Sequence, residues 1–320
     1  MNSSTPTAVI DLGTNTFHLL IANVGPDDFL TELYRERIFV KLASDGIETI
    51  GPAPYTRGLE AMVHFRKILD DYRVTTLHAI GTAALRRASN GAAFIKSVSE
   101  QAAINVQLID GDEEARLITR GVLAAIPQDD ERCLIMDIGG GSTEFIITHH
   151  KQVLWRRSFP VGISVLYQKF HRTDPIGATD VRELTEYLTE ITQPLRTALQ
   201  RYPAHHLAGA AGTFDVLATM LRDDAAPAHP TSHQLALTGF PAIYQRVINS
   251  YAEERASIPD LPAQRVDMIV VAMLLINFTL RLAQIRRVTV SDWAMKEGIL
   301  LDNFSGPSAS SGGAANAGAK

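Results

Sequence analysis

The alternation of apolar and polar positions divides the chain into two similar halves. Residues 8–24 read AVIDLGTNTFHLLIANV and residues 134–148 read LIMDIGGGSTEFIIT. Superposing Asp11 on Asp137 places Gly13 on Gly139, Thr16 on Ser142, and the apolar run 19–21 on 145–147. Each copy is an apolar strand closing on an Asp, a glycine-bearing polar turn with a hydroxyl residue, and a second apolar strand. That is the pattern of a β-hairpin. The copies lie far enough apart to head separate domains rather than turns of a solenoid.

A third extended run follows each hairpin, over 29–40 and 152–159. Helical and extended segments then alternate. In the first half the periodicity predicts helices over 55–72, 91–103 and 112–125, with strands at 77–80 and 106–109. In the second half it predicts a long helix over 179–201 and a strand at 206–209. Helices near 213–222, 240–256 and 264–283, a strand at 287–290 and a closing helix over 293–303 complete it. The order βββαβαβα, met twice, predicts an α/β fold of two domains, each a mixed sheet covered by helices. The break is expected at the polar, proline-bearing stretch 127–130, giving domains over 1–126 and 127–304. Residues 305–320 are mainly Ser, Gly and Ala. They carry too little apolar surface to offset ordering entropy, so a disordered tail is expected.

Composition narrows the function. The 320 residues are 46% hydrophobic and 20% charged, values of an ordinary globular chain. The net charge of −5 argues against long nucleic acid as a partner. The single cysteine, Cys133, opens an apolar run and reads as a core residue in a reducing compartment. No basic segment followed by an apolar one opens the chain, and the apolar run 269–276 is too short to span a bilayer. A cytoplasmic location away from any membrane is therefore expected. A homodimer is the default for an oligomer. The adjacent pairs His149–His150 and His205–His206 lack the spacing of a structural zinc site.

The candidate chemistry sits in the turns. Asp-Leu-Gly-Thr-Asn-Thr at 11–16 and Asp-Ile-Gly-Gly-Gly-Ser-Thr-Glu at 137–144 suit phosphate. Glycines let backbone N–H groups approach phosphate oxygens, and hydroxyls add donors. The Asp at the strand end can hold Mg²⁺ or position water. Ordinary hairpin turns also favour these residues, but the matched pair of copies weighs against coincidence. Asp110 with Glu113 fits a capping pair at a helix start, which leaves Glu114 without a local role. Glu114 is either a dipole-favoured surface group or a general base facing a cleft. Arg86, after a short strand, suits phosphate or a solvated basic turn. Arg116 and Arg120 share a helix face and read as surface or ion-pair residues. Gly212 and Thr213, ending the run Gly-Ala-Ala-Gly-Thr, place small residues at a helix start. They suit close packing or an approaching phosphate.

Together these segments resemble the exopolyphosphatase/guanosine pentaphosphate phosphatase family. The run 11–18 is similar to that family's DLGSNSFH, 81–86 to its GTxxLR, 111–117 to its GxEEARL and 137–144 to its DIGGGSTE. The runs 209–213 and 291–298 are similar to its GAxGT and SDxxLREG. Thr14 and Thr16 replace serines, Asp110 replaces a Ser, and Trp293 stands where glycine is frequent. The resemblance implies two actin-like (ribonuclease H-like) domains with the active site between them. It implies hydrolysis of a terminal phosphoanhydride with Mg²⁺ or Mn²⁺. By the resemblance Glu114 would be the general base. Asp137 and Glu144, with Asp11 as a further candidate, would hold the metal. Gly13, Thr14, Asn15, Thr16, Arg86, Gly139, Gly140, Gly141, Ser142, Thr143, Gly212 and Thr213 would cradle phosphates. Many relatives continue into a helical C-terminal domain with an HD-type metal site, so a short form is expected here. The implied substrate is polyphosphate, releasing orthophosphate; the alternative is a phosphorylated guanosine nucleotide cut at its 5′ end. An actin-like ATP-dependent kinase is the more distant alternative.

Overall fold

Two mixed β-sheets carry the chain. The computed structural model describes residues 5–25 and 29–302; the tail expected over 305–320 lies outside the described residues. The first sheet holds β1 (Thr7–Leu12), β2 (Thr16–Val24), β3 (Leu30–Phe39), β4 (Thr76–Gly81) and β5 (Val106–Leu108), in spatial order β3-β2-β1-β4-β5. The second holds β6 (Cys133–Ile138), β7 (Thr143–His149), β8 (Gln152–Phe159), β9 (His206–Ala210), β10 (Ser232–Gln234) and β11 (Arg287–Ser291). Their order is β10-β11-β9-β6-β7-β8. Without β10 the two sheets share one topology. Three strands form an antiparallel meander, and two parallel strands extend it on the far side of the first. The βββαβαβα order read from the hydrophobic pattern is present twice.

The helices of the first half are α1 (Pro52–Asp71), α2 (Ala83–Arg87), α3 (Gly91–Ala102) and α4 (Gly111–Ala125). Those of the second are α5 (Ile163–Phe170), α6 (Ala178–Ile191), α7 (Gln193–Arg201), α8 (Gly212–Leu221), α9 (Phe240–Asn249), α10 (Ala252–Arg255), α11 (Ile269–Leu282) and α12 (Met295–Leu301). Three expectations shift. The helix predicted over 179–201 breaks at Thr192, because Pro194 in the first turn of α7 cannot donate to the turn before it. The helix predicted over 240–256 ends at Asn249, where Ser250 is extended, and only the single turn α10 follows. The helix predicted over 264–283 begins at Ile269, after a 3₁₀ turn over Ala263–Arg265. The short elements α2, α5 and β10 had no periodic signal long enough to read.

Strand alternation builds three cores. On β1, Ala8, Ile10 and Leu12 face Phe65 of α1 and Phe94 of α3, while Val9 faces the other way. On β6, which is buried on both faces, Leu134, Met136 and Ile138 meet the large core under α11. Its Cys133 and Ile135 turn toward the core shared by both sheets, as period-two alternation requires. That shared core contains Leu117, Ile118 and Val122 of α4 with Ile299 and Leu300 of α12. Here the two halves exchange helices: α4 packs on β7 and β8 of the second sheet, and α12 packs on β1 and β2 of the first. The two helices cross at glycines. A Cβ on Gly121 would stand 2.0 Å from the Ala294 carbonyl oxygen, and one on Gly298 1.9 Å from that of Leu117. Among the described residues no helix is long and apolar enough to cross a membrane.

Candidate active site

The parallel strands β1, β4, β6, β9 and β11 direct their carboxyl ends to one place, where open α/β sheets hold ligands. A cleft open to solvent lies there and is lined from both halves.

The two glycine turns meet in it. The Gly13 amide donates to the Thr16 carbonyl at 3.1 Å, and the Gly139 amide donates to the Ser142 carbonyl at 3.0 Å. The turns are thus alike in geometry as well as in sequence. They also touch. A Cβ on Gly140 would stand 2.7 Å from Thr14 Cβ, and one on Gly141 2.9 Å from Thr14 Oγ1. Only glycine allows this approach. The amides of Lys41 and Leu42 donate to the Asn15 and Thr14 carbonyls at 2.9 and 2.8 Å. The Ser164 hydroxyl donates to the Asn15 side-chain oxygen at 2.8 Å. A third loop ends in Gly212 and Thr213 at the start of α8. Its Ala211 holds φ 67° and ψ 169°, a region otherwise kept to glycine. That strain turns the N-terminus of α8 toward the cleft.

Four carboxylates gather behind the turns. Asp11 and His18 face each other across the first hairpin, and Asp137 and Glu144 hold the same places in the second. Burial raises Asp11 to about 6. Burial and then the Glu144 charge raise Asp137 to about 8. Burial, followed by Glu144, holds Glu114 well above the usual carboxylate range, against the pull of Arg86. Glu144 is also raised by burial, although the Ser158 hydroxyl donates to it at 2.6 Å. Each charge therefore works against its neighbours, which is the electrostatics of a site built for a cation or a proton. Burial, with Lys296 next, keeps His18 well below its usual range, so it is neutral.

The first turn of α4 separates its acids. Asp110 caps it by accepting the Glu113 amide at 2.8 Å, and the Glu113 carboxylate turns back to Arg116 at 2.8 Å. Glu114 points the other way, 8% exposed, and receives Arg86 Nη1 at 3.1 Å. Arg116 also pairs with Asp302 at 2.6 Å, so it is an ion-pair residue.

Asp11, Gly13, Thr14, Asn15, Thr16, Glu114, Asp137, Gly139, Gly140, Gly141, Ser142, Gly212 and Thr213 all line the cleft. Three residues named from the sequence do not. Arg86 is held by Glu114 and the Ile109 carbonyl. The Thr143 hydroxyl is fully buried and donates to the Val161 carbonyl at 3.1 Å. Glu144, 1% exposed, sits behind Asp137. Among the described residues no three His, Cys, Asp or Glu side chains close into a ready metal cage.

Sequence reasoning missed the cations. Arg35, Arg37, Lys41, Arg265 and Lys296 line the cleft, and the Lys296 charge works against the burial that raises Asp11 and Asp137. Arg35 and Arg37 were readable as one face of a strand. Lys296 lies inside a segment already singled out. Arg265 carries no local signal, since only the chain path brings it onto Gly212.

A doubled sheet with glycine turns facing one cleft is the actin-like two-domain fold. The pattern of the Ppx/GppA phosphatase family matches residues 20–305, and the chain belongs to that family. An exopolyphosphatase from Cytophaga hutchinsonii superposes with a TM-score of 0.87 at 38% identity, covering 93% of this chain and 98% of that one. The Ppx/GppA family member of Aquifex aeolicus gives 0.75 at 22%, covering 93% and 97%. An exopolyphosphatase-like protein gives 0.82 at 23%, also covering 93% and 97%. The last two bear on the fold alone.

Proposed function

We propose that the chain hydrolyses the terminal phosphoanhydride of inorganic polyphosphate and releases orthophosphate. The observation that carries the reading is Glu114. It is a carboxylate 8% exposed that lines the cleft with the two glycine turns and is held by Arg86 Nη1 at 3.1 Å. Such a group accepts a proton from water more readily than an exposed one. The similarity to an exopolyphosphatase supports the substrate class.

In this scheme the terminal phosphate lies against the turns at 13–16 and 139–142 and the start of α8, where backbone N–H groups and hydroxyls meet its oxygens. Water adds to the phosphorus as its proton passes to Glu114. The bridging P–O bond breaks, and the shortened chain leaves with the electron pair on its terminal oxygen. Arg86 holds Glu114 in place. Positioning and charge neutralisation are the main demands of phosphoryl transfer. A divalent cation fits this donor set. Asp137 and Glu144, with Asp11 beside them, are buried acids whose mutual repulsion a cation would relieve. Mg²⁺ or Mn²⁺ is the expected ion, since such sites are held by one or two carboxylates with water and phosphate. When bound, the cation would draw charge from the phosphate oxygens. The domain break falls in this reading between 126 and 127, in the connection from α4 to β6. Cytoplasmic placement rests on the sequence, whose single cysteine suits a reducing compartment.

Orthophosphate release from medium-chain polyphosphate tests the reading, with and without Mg²⁺ and with guanosine pentaphosphate in competition. The expected result is metal-dependent release from polyphosphate. Release from guanosine pentaphosphate alone, or phosphate transfer from ATP to an acceptor, would replace it.

A further inference from the structure

The mouth of the cleft is bridged by one ion pair. Arg37 Nη2, on the edge strand β3, donates to Asp215 Oδ2, in the first turn of α8, at 3.2 Å. Both side chains line the cleft, and they are 39% and 40% exposed. Arg265 lies against Gly212, where a Cβ would stand 1.9 Å from its Nη2, and shares the electrostatic neighbourhood of Arg37 and Asp215. Arg37 alone is bonded to the carboxylate, and Arg265 lies within electrostatic reach of both. Asp215 gains from the helix dipole at its position. It also adds negative charge facing Asp137 and Asp292, so dipole stabilisation does not account for it fully.

A single-contact exposed pair is weak. A phosphate, with several oxygens, engages a guanidinium through paired charge-assisted bonds. A polyphosphate entering the mouth thus meets an arginine that is occupied but easily released.

We propose that Asp215 is a specificity-determining residue: its carboxylate stands in for a substrate phosphate on Arg37 and must be displaced before the chain is gripped there. Asp215 belongs neither to the glycine turns nor to the four buried acids, so releasing Arg37 from it acts on how tightly the chain is held more than on how fast its end is cut. This rests on the polyphosphate reading above.

Steady-state hydrolysis and calorimetric binding of medium-chain polyphosphate are compared for the parent, Asp215→Asn, Arg37→Gln and the double variant. Asp215→Asn should lower KM and Kd about threefold with kcat within about twofold, the scale of one exposed ion pair. Arg37→Gln should raise both constants about fivefold. In the Arg37→Gln background the effect of Asp215→Asn should vanish. An equal gain in both backgrounds would show a general charge effect and overturn the proposal, as would no gain in either. A parent that binds polyphosphate with this pattern but releases no orthophosphate would overturn the hydrolytic reading and leave the role of Asp215 standing.

Discussion

Arg86 Nη1 lies 3.1 Å from Glu114 Oε2 and donates as well to the Ile109 carbonyl, so one guanidinium ties the start of α4 to the segment that enters it. Its charge also lowers the pKa of Glu114, against burial and Glu144. Arg86→Gln removes both effects. The Glu114 pKa should then rise further, and the acid limb of the kcat/KM profile should move to higher pH. With Glu114 less firmly placed, kcat should fall about 10- to 100-fold. A loss of activity with an unmoved acid limb would assign Arg86 to phosphate binding instead.

The buried acids make stability depend on pH in a direction opposite to the usual carboxylate. Asp11 is raised to about 6 and Asp137 to about 8, each by burial first. The folded chain therefore holds protons that the unfolded chain has released. The stability these groups contribute is full below about pH 4 and lost as pH rises through about 6 and then about 8. In metal-free buffer the thermal midpoint should fall between about pH 5 and pH 8, and Asp137→Asn should flatten the slope. Added Mg²⁺ should stabilise more at about pH 8 than at about pH 5. Rising metal-free stability toward pH 8, with the same slope in Asp137→Asn, would contradict the buried-acid picture.

The crossing of α4 and α12 sets the distance between the halves. A Cβ at Gly298 would stand 1.9 Å from a backbone oxygen of Leu117, which cannot move aside as a side chain could. Gly298→Ala should cost about 1–3 kcal/mol in denaturant unfolding. Because α4 carries Glu114 and α12 carries Lys296, kcat should fall even where the variant remains fully folded.

Ala211 is the opposite case. Its φ of 67° and ψ of 169° cost an alanine about 1–3 kcal/mol. Ala211→Gly should relieve part of that, offset by the greater freedom of glycine in the unfolded chain. Denaturant unfolding should show a net change of about +1 kcal/mol or less, while Ala211→Val should destabilise clearly.

What was legible in the sequence was what repeats or runs long. The two hairpins share a pattern because each must bury strands on both sides and present a turn, so their topology was readable from residues 8–24 and 134–148. Glu114 was singled out because capping accounted for Glu113 and not for it, and the opposed directions of the two side chains reflect that difference. Thr143 follows Ser142 in an attractive motif, yet strand alternation turns its hydroxyl to Val161. Arg37 shows in the sequence only as one face of a strand, Asp215 and Arg265 have no local pattern to mark them, and only the packed chain brings the three together. The breaks at Thr192 and Ser250 are local events inside otherwise helical periodicity, where one proline or one extended residue decides the outcome.

The central claim is that Glu114 takes the proton from attacking water. The most direct measurement is orthophosphate release from medium-chain polyphosphate by the parent and by Glu114→Gln in saturating Mg²⁺, with calorimetric binding of the chain to both. Removing a general base should lower kcat at least about 100-fold, while the affinity for the chain stays similar. Undiminished release by Glu114→Gln would contradict the assignment and move the base to another of the buried acids.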